Sequence, residues 1–325
     1  MKILTEFSNE DFLPVIGKKE YLKSFAGVYT CGYIIDDNIV LPFVIRKRLC
    51  FKWAELVCPV LNCLSSDSEK RFLESAIEIL KKEYRISHIL TTNTAIFKSY
   101  PNNSFYCKFG TYKIDLSLSE EELFSKVHSK HRNVIRKAEK DGIIVHYGNE
   151  YAHEVIQLMN DTYGRQGKVS NLSDKFIDSL NKLGKDVSYW VAKDADGALQ
   201  GSAIFLWTAD SSCYYLHGGS ASLTKPGAMN LLIWKAMLYM KEQGVRYFDF
   251  VGARVTTESG SKLEGIQRFK SRFGADMEIG YMWRYVVSPF KYYLYRFLFK
   301  TYMRIVKGDN STFDTIAEER AKGNM

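Results

Sequence analysis

The stretch SEEELFSKVHSKHRNVIRKAEKDG, residues 119–142, opens with a helix start and closes with a helix stop. Ser119 followed by Glu122 is the capping-box pattern, and Glu120 and Glu121 stand in the first turn, where the helix dipole favours anions. Asp141-Gly142 ends the pattern, so the sequence predicts one helix over 119–141. Leu123, Val127, Val134 and Ala138 form its apolar seam. Lys126, Lys130, Arg132, Arg136, Lys137 and Lys140 face a single acid, Glu139. Arg132, Arg136 and Lys140 fall at i, i+4 and i+8 on one face, and guanidinium groups in such a stripe suit bidentate phosphate contacts. A solvated face is the ordinary alternative.

Working downstream, residues 143–147 read as a strand, 151–163 and 173–183 as helices, and 187–193, 198–207 and 213–216 as strands, with Asp196-Gly197 as a hairpin turn. A helix over 227–243, a strand over 246–251, a helix over 262–273 and a strand over 277–286 follow. Upstream, 27–35, 38–46 and 50–57 read as a β-meander turning at Asp36-Asp37-Asn38. A helix over 67–83 and strands over 86–91 and 106–116 complete that region, which is α+β in character. No Pro/Gly/Ser-rich linker separates the two regions.

The order β-α-α-β-β-β-α-β-α-β matches the layout of the GNAT acyltransferase fold, a mixed sheet whose fourth and fifth strands splay apart. Three stretches carry a narrower resemblance: Lys130 to Gly142, Tyr247-Phe-Asp249-Phe-Val-Gly252, and Gly265 to Gly274 containing Phe269-Lys270. Together they resemble the FemAB group of tandem-GNAT acyltransferases. The resemblance implies an α+β fold of two tandem GNAT-like mixed-sheet domains. The N-terminal one, 1–118, would be a degenerate copy. The C-terminal one, 119–308, would be the acyltransferase domain and include a C-terminal amphipathic helix over 288–307. It also implies transfer of an aminoacyl or acyl group from aminoacyl-tRNA or acyl-CoA to an amine of a cell-envelope precursor, peptidoglycan or an amino-sugar polysaccharide. No tightly bound cofactor is expected, since the donor is a substrate.

By the same resemblance Phe269 and Lys270 stand at the reacting carbonyl. An ammonium in a dry cleft would stabilise the oxyanion formed when an amine attacks an ester or thioester. His217, at a strand end before Gly218 and Gly219, is one candidate base because imidazole titrates near neutrality. Asp249 is the other, alternating with Phe248 and Phe250 and so pointing to the opposite face. Lys225, Gly227, Ala228, Met229 and Asn230 precede or open a helix whose free amides can receive an anion. GNAT enzymes cradle the coenzyme A pyrophosphate there, and Gly218 and Gly219 would let a donor approach the backbone. Arg132 and Arg136 are read as phosphate contacts, and Tyr163, Arg165 and Gln166 as acceptor contacts.

The chain has 325 residues, 46% hydrophobic and 25% charged, enough apolar material for one large or two medium cores. Lys plus Arg, 45, less Asp plus Glu, 37, gives +8, which points to an anionic partner. Cys31, Cys50, Cys58, Cys63, Cys107 and Cys213 show no CxxC pair, so neither a disulfide framework nor a zinc site is expected. No secretory leader or bilayer-spanning run is read, and a cytoplasmic protein is expected. Residues 288–307 combine aromatics with Arg296, Lys300, Arg304 and Lys307, a composition suited to an interfacial helix on anionic lipid and a lipid-linked acceptor; packing on the body or in a dimer is the alternative. Residues 309–325 read as a mobile tail. A non-catalytic GNAT scaffold that binds nucleic acid or an anionic membrane is the competing function.

Overall fold

In the computed structural model, residues 1–8, 10–167, 172–306 and 314–325 are described. In chain order the elements are β1 (Lys2–Leu4), α1 (Lys19–Lys23), β2 (Val28–Asp36), β3 (Ile39–Arg48), β4 (Phe51–Leu56), α2 (Ser66–Tyr84), β5 (His88–Thr91) and β6 (Phe105–Asp115). There follow α3 (Glu120–Lys126), α4 (Ser129–Lys140), β7 (Ile144–Tyr147), α5 (Ala152–Arg165), α6 (Asp174–Asn181), β8 (Val187–Lys193), β9 (Leu199–Trp207) and β10 (Ser212–Ser220). The chain ends with α7 (Ala228–Glu242), β11 (Tyr247–Asp249), α8 (Lys262–Ser271), β12 (Asp276–Val286), α9 (Pro289–Val306) and α10 (Thr315–Ala321). The predicted α+β class and nearly every predicted element are present.

The elements group into two units. One comprises Met1–Thr111, Gly252–Thr257 and Glu278–Met325, the other Tyr112–Val251 and Glu258–Met277. In the first, β1 to β4 pair as successive antiparallel neighbours, β4 pairs in parallel with β5 across α2, and β12 closes antiparallel on β5. In the second, β7 to β10 are antiparallel neighbours, β10 pairs in parallel with β11 across α7, and the end of β6 closes antiparallel on β11. The two units therefore repeat one topology, each ending on a strand taken from a distant part of the chain. This corrects the expected boundary at 118/119, because β12 and α9 belong with the first unit and the end of β6 with the second.

Each unit has its own core. In the first, Phe43, Ile45, Leu56, Phe72, Leu73, Phe97 and Trp283 are buried together. In the second, Trp190, Phe205, Phe248 and Phe250 from the sheet meet Leu232, Ala236 and Met237 of α7 and Ile135 and Ala138 of α4. Cysteines behave as small apolar side chains: all six are free thiols and only Cys50 is exposed.

Three further expectations need correction. The helix over 119–141 is two helices, broken at Val127 and His128. Val127 is extended (φ −63°, ψ 129°) with its side chain fully buried, and the His128 N–H is drawn to the Arg272 carbonyl oxygen at 2.8 Å. His128 Nδ1 then accepts from the Lys130 N–H at 3.1 Å and starts α4. The capping box at Ser119 is formed as predicted. Second, the tail is not free over 314–325: α10 buries Ile316 and Glu319, and Arg254 pairs with Glu319 at 2.9 Å and Glu318 at 3.0 Å. Residues 309–313, and Lys307 of the predicted cationic stripe, lie outside the described residues. Third, β10 runs to Ser220, well past the predicted end at 216, and β11 stops at Asp249.

Candidate active site

Strands β10 and β11 pair only at Ser212–Tyr247, Cys213–Phe248 and Tyr214–Asp249. Beyond Tyr214 the two part. β10 continues to Ser220 on β9 alone, with a register shift between Tyr215 and His217, while the Phe250 N–H turns to the Tyr112 carbonyl at 2.9 Å. This is the expected splay between the fourth and fifth strands of the second unit. In the first unit the equivalent strands do not open: the Thr92 N–H and the Thr92 and Thr94 hydroxyls donate to the Leu56 and Val57 carbonyls, stitching the chain past the end of β4.

Lys270 lies on α8, with its side chain at the end of β11. It is 8% exposed, and its Nζ donates to the Val251 carbonyl oxygen at 2.6 Å. Burial lowers its pKa to about 8, partly opposed by the negative charge of Asp249. Asp249, 5% exposed, accepts from the Val251 N–H at 2.8 Å. Val251 is thus fastened through both backbone groups, and it stands at φ 51°, a left-handed conformation that β-branched residues rarely adopt. Phe269 packs on His131 and Phe273, ring centroids 5.4 and 5.2 Å apart, and anchors the α8 face opposite α4.

His217 is half-buried at the far side of β10, where its Nδ1 meets the Tyr163 hydroxyl at 3.3 Å and its ring lies edge-on to Phe176. Burial pushes its pKa down to about 4, so the premise that it titrates near neutrality does not hold, and it is a weak base at neutral pH. Gly218 has the Tyr215 hydroxyl where a Cβ would stand, and Gly219 lets α5 approach, its Cβ position lying 3.2 Å from the Leu158 carbonyl oxygen. Both glycines are therefore used in packing within the protein. Arg165 donates to the Thr162 hydroxyl and the Ser220 carbonyl, tying α5 to the end of β10.

At the start of α7, Gly227 is the N-cap at φ 86° and no side chain caps the helix. A Cβ on Gly227 would fall on the Val134 carbonyl oxygen, so this glycine is required by the contact of α7 with α4. Ala228 is buried, Met229 covers Gly201, and the Asn230 side-chain nitrogen is buried without a hydrogen-bond acceptor. Lys225 reaches Asp194 at 3.5 Å, and Gln200 bridges that carboxylate and the Lys225 N–H. An uncapped helix start beside a lysine and an unpartnered amide donor fits the phosphates of a donor. The equivalent start of α2 does not: a capping box closes it and Glu69 is buried there, accepting from Ser99.

On α4, Arg136 is exposed and lies over the Phe124 ring at 5.1 Å, whereas Arg132 folds back to donate to the Ser125 and Val127 carbonyls. Of the predicted residues, Lys270, Asp249 and Phe269 share one locality with Val251. His217 and Arg165 belong to the α5 side of β10, and Lys225 to Asn230 to the start of α7. Two contributors escaped the sequence reading. Val251 acts through its backbone, which leaves no side-chain signal, and His131 stands in the Lys130 to Gly142 stretch with no role assigned to it from the sequence. His131 is 6% exposed between Phe269 and Phe273, with its pKa lowered to about 4 by burial. Among the described residues no cluster could hold a metal ion.

Residues 125–271 match the family model of the acetyltransferase (GNAT) domain. The chain carries a GNAT acyltransferase domain. Solved structures share the fold over most of the length. FemX aligns with a TM-score of 0.68 at 14% identity, covering 92% of this chain and 100% of that one. L-PGS from Bacillus licheniformis aligns with a TM-score of 0.51 at 12% identity, over 89% and 93%. The C-terminal domain of a putative lysylphosphatidylglycerol synthetase from Agrobacterium fabrum gives 0.55 at 12%, over 92% and 96%. No curated protein matches the sequence. The GNAT match begins at the end of α3 and ends at α8, so it contains the parted strands, the open start of α7 and Lys270.

Proposed function

We propose that the protein is an N-acyltransferase that moves an aminoacyl or acyl group from aminoacyl-tRNA or acyl-CoA to an amine of a cell-envelope precursor, peptidoglycan or an amino-sugar polysaccharide. The observation that carries this reading is the buried Lys270 ammonium beside the opening between β10 and β11. Attack of the amine on the donor carbonyl forms a C–N bond and places negative charge on the carbonyl oxygen. An ammonium already desolvated stabilises that charge more strongly than one in water. The C–O or C–S bond then breaks, and the proton given up by the attacking nitrogen leaves with the departing donor as its hydroxyl or thiol. Asp249 is a positioning residue in this scheme, holding the Val251 turn and the charge of Lys270. The uncapped start of α7 and Lys225 receive the donor's phosphates, and Arg136 adds a guanidinium at the surface.

The envelope acceptor is supported by the folds shared with FemX and with the C-terminal domain of a putative lysylphosphatidylglycerol synthetase. A position at the inner face of the cell membrane accords with such an acceptor.

The test incubates the protein with acetyl-CoA, or with charged tRNA, together with amino-sugar and muropeptide acceptors, and follows acceptor mass. An acyl adduct that disappears in Lys270→Ala supports the reading, and the productive arm names the donor. No adduct in any arm, with salt-sensitive nucleic-acid binding that survives Lys270→Ala, would favour the non-catalytic scaffold.

A further inference from the structure

Helix α9 carries a packed face and a bare one. Tyr292 and Tyr295 pack inward against His88 and Trp53, at ring distances of 4.9 and 5.0 Å, and Tyr292 is 3% exposed. On the other side Phe290, Tyr293, Leu294, Phe297, Leu298 and Ile305 are exposed by 79, 65, 38, 67, 45 and 75%. At 100° per residue these six lie within an arc of about 140°. A monomer in water rarely leaves so continuous an apolar surface unfilled.

The charges around this arc say what covers it. The sequence of α9 contains Lys291, Arg296, Lys300 and Arg304 and no Asp or Glu. Arg296 is engaged by Asp314 at 2.7 Å. Lys300 stands just outside one edge of the arc, Arg304 just inside that edge and Lys291 just outside the other, and among the described residues none of the three has a carboxylate in ion-pair range. The β3–β4 hairpin tip adds Arg48, stacked over Tyr302 at 4.7 Å, and Leu49, 79% exposed. A second copy of the same helix would bring cations to cations without a single acid between them. No described helix is long and apolar enough to cross a bilayer.

We propose that α9 and the β3–β4 hairpin tip dock flat on an anionic phospholipid surface, with the aromatic arc in the acyl boundary and the flanking cations at the headgroups. This deepens the proposed function by placing the acceptor's membrane as a partner, although the vesicle readout does not depend on any enzymatic activity. The experiment is flotation with vesicles of equal parts phosphatidylglycerol and phosphatidylcholine, against phosphatidylcholine alone. The wild-type protein should float with the mixed vesicles and not with the neutral ones. Phe290→Ser/Phe297→Ser and Lys300→Glu/Arg304→Glu should each weaken binding roughly tenfold or more, with unchanged thermal melts and unchanged turnover of a water-soluble acceptor. Lack of vesicle binding by the wild type overturns the proposal. So does equal binding to neutral vesicles, or binding indifferent to both double variants. A dimer in sedimentation that Phe297→Ser dissociates, without vesicle binding, would assign the face to self-association instead.

Discussion

The Lys270 Nζ donates to the carbonyl oxygen of Val251 at 2.6 Å, and Val251 stands in the left-handed region at φ 51°. A strained, β-branched residue thus points its carbonyl at the one buried ammonium of the site, and Asp249 holds the same residue by its N–H. Removing the ammonium should separate catalysis from folding. Lys270→Met should lower kcat by about 10²- to 10³-fold, the scale of losing an oxyanion donor, while KM for the donor changes little. Because a desolvated charge is replaced by an apolar side chain of similar length, Tm should not fall. A parallel fall of activity and Tm would make Lys270 a structural residue.

Activity and stability should respond to alkaline pH in opposite directions. Burial lowers the Lys270 pKa from the ordinary lysine value to about 8. Between pH 8 and the unfolded value the unfolded chain binds more protons than the folded one, so stability rises with pH in that window. The burden of a buried charge is full below about 8 and is relieved above it. The ammonium needed for oxyanion stabilisation is lost over the same range, so kcat should fall as pH rises through about 8. Lys270→Met should abolish the stability rise, which urea titrations at a series of pH values would register.

Acid should destabilise the protein before its carboxylates are protonated. Burial lowers the pKa of His88 to about 3 and those of His131 and His217 to about 4. Each imidazole is neutral when folded and takes a proton when unfolded, so stability falls as pH drops from about 6.5 toward 4. His88→Phe, which preserves the ring stack on Trp53 and the edge-on contact with Tyr292, should flatten the dependence of Tm on pH in that interval. An unchanged slope would show that His88 does not contribute.

Gly227→Ala should be the costliest single methyl in the second unit. The position has φ 86°, and the added carbon would fall on the Val134 carbonyl oxygen, a backbone atom that cannot swing away. The left-handed strain and the forced separation of α4 from α7 together should cost about 3 kcal/mol or more, measured by denaturant unfolding. Gly265→Ala, with open space around its Cβ position, is the matched control and should be neutral to stabilising.

The two arginines of α4 should part company. Arg132→Ala removes donors from the Ser125 and Val127 carbonyls and should cost about 1 kcal/mol of stability. Arg136→Ala leaves the fold intact and should raise donor KM several-fold with kcat preserved. Unchanged KM in Arg136→Ala would remove α4 from the donor site.

Much of this molecule is readable along the chain because its signals are local. The capping box at Ser119, the hairpin turn at Asp196-Gly197 and the apolar periods of α2 and α7 depend on residues a few positions apart. What the sequence hides is set at long range. The break at Val127 is made by a hydrogen bond from His128 to Arg272, and the end of β11 at Asp249 by the turn of Val251 onto Lys270. The role of Gly227 also looked different. A glycine before a helix reads as room for a ligand, and here the room is taken by the Val134 carbonyl. Lys270 was legible only through the Phe269-Lys270 resemblance, since nothing in a surface-like run of Arg268, Lys270 and Arg272 announces burial.

The borrowed strands impose an order on synthesis. Every segment of the second unit has been synthesised once residue 277 is made, whereas the first unit still awaits β12. The later-encoded half is thus finished before the earlier one, and the open edge of β5 stays unpaired for most of translation. A gene fragment ending at residue 118 would keep that edge unpaired for good and should yield insoluble polypeptide however well it is expressed.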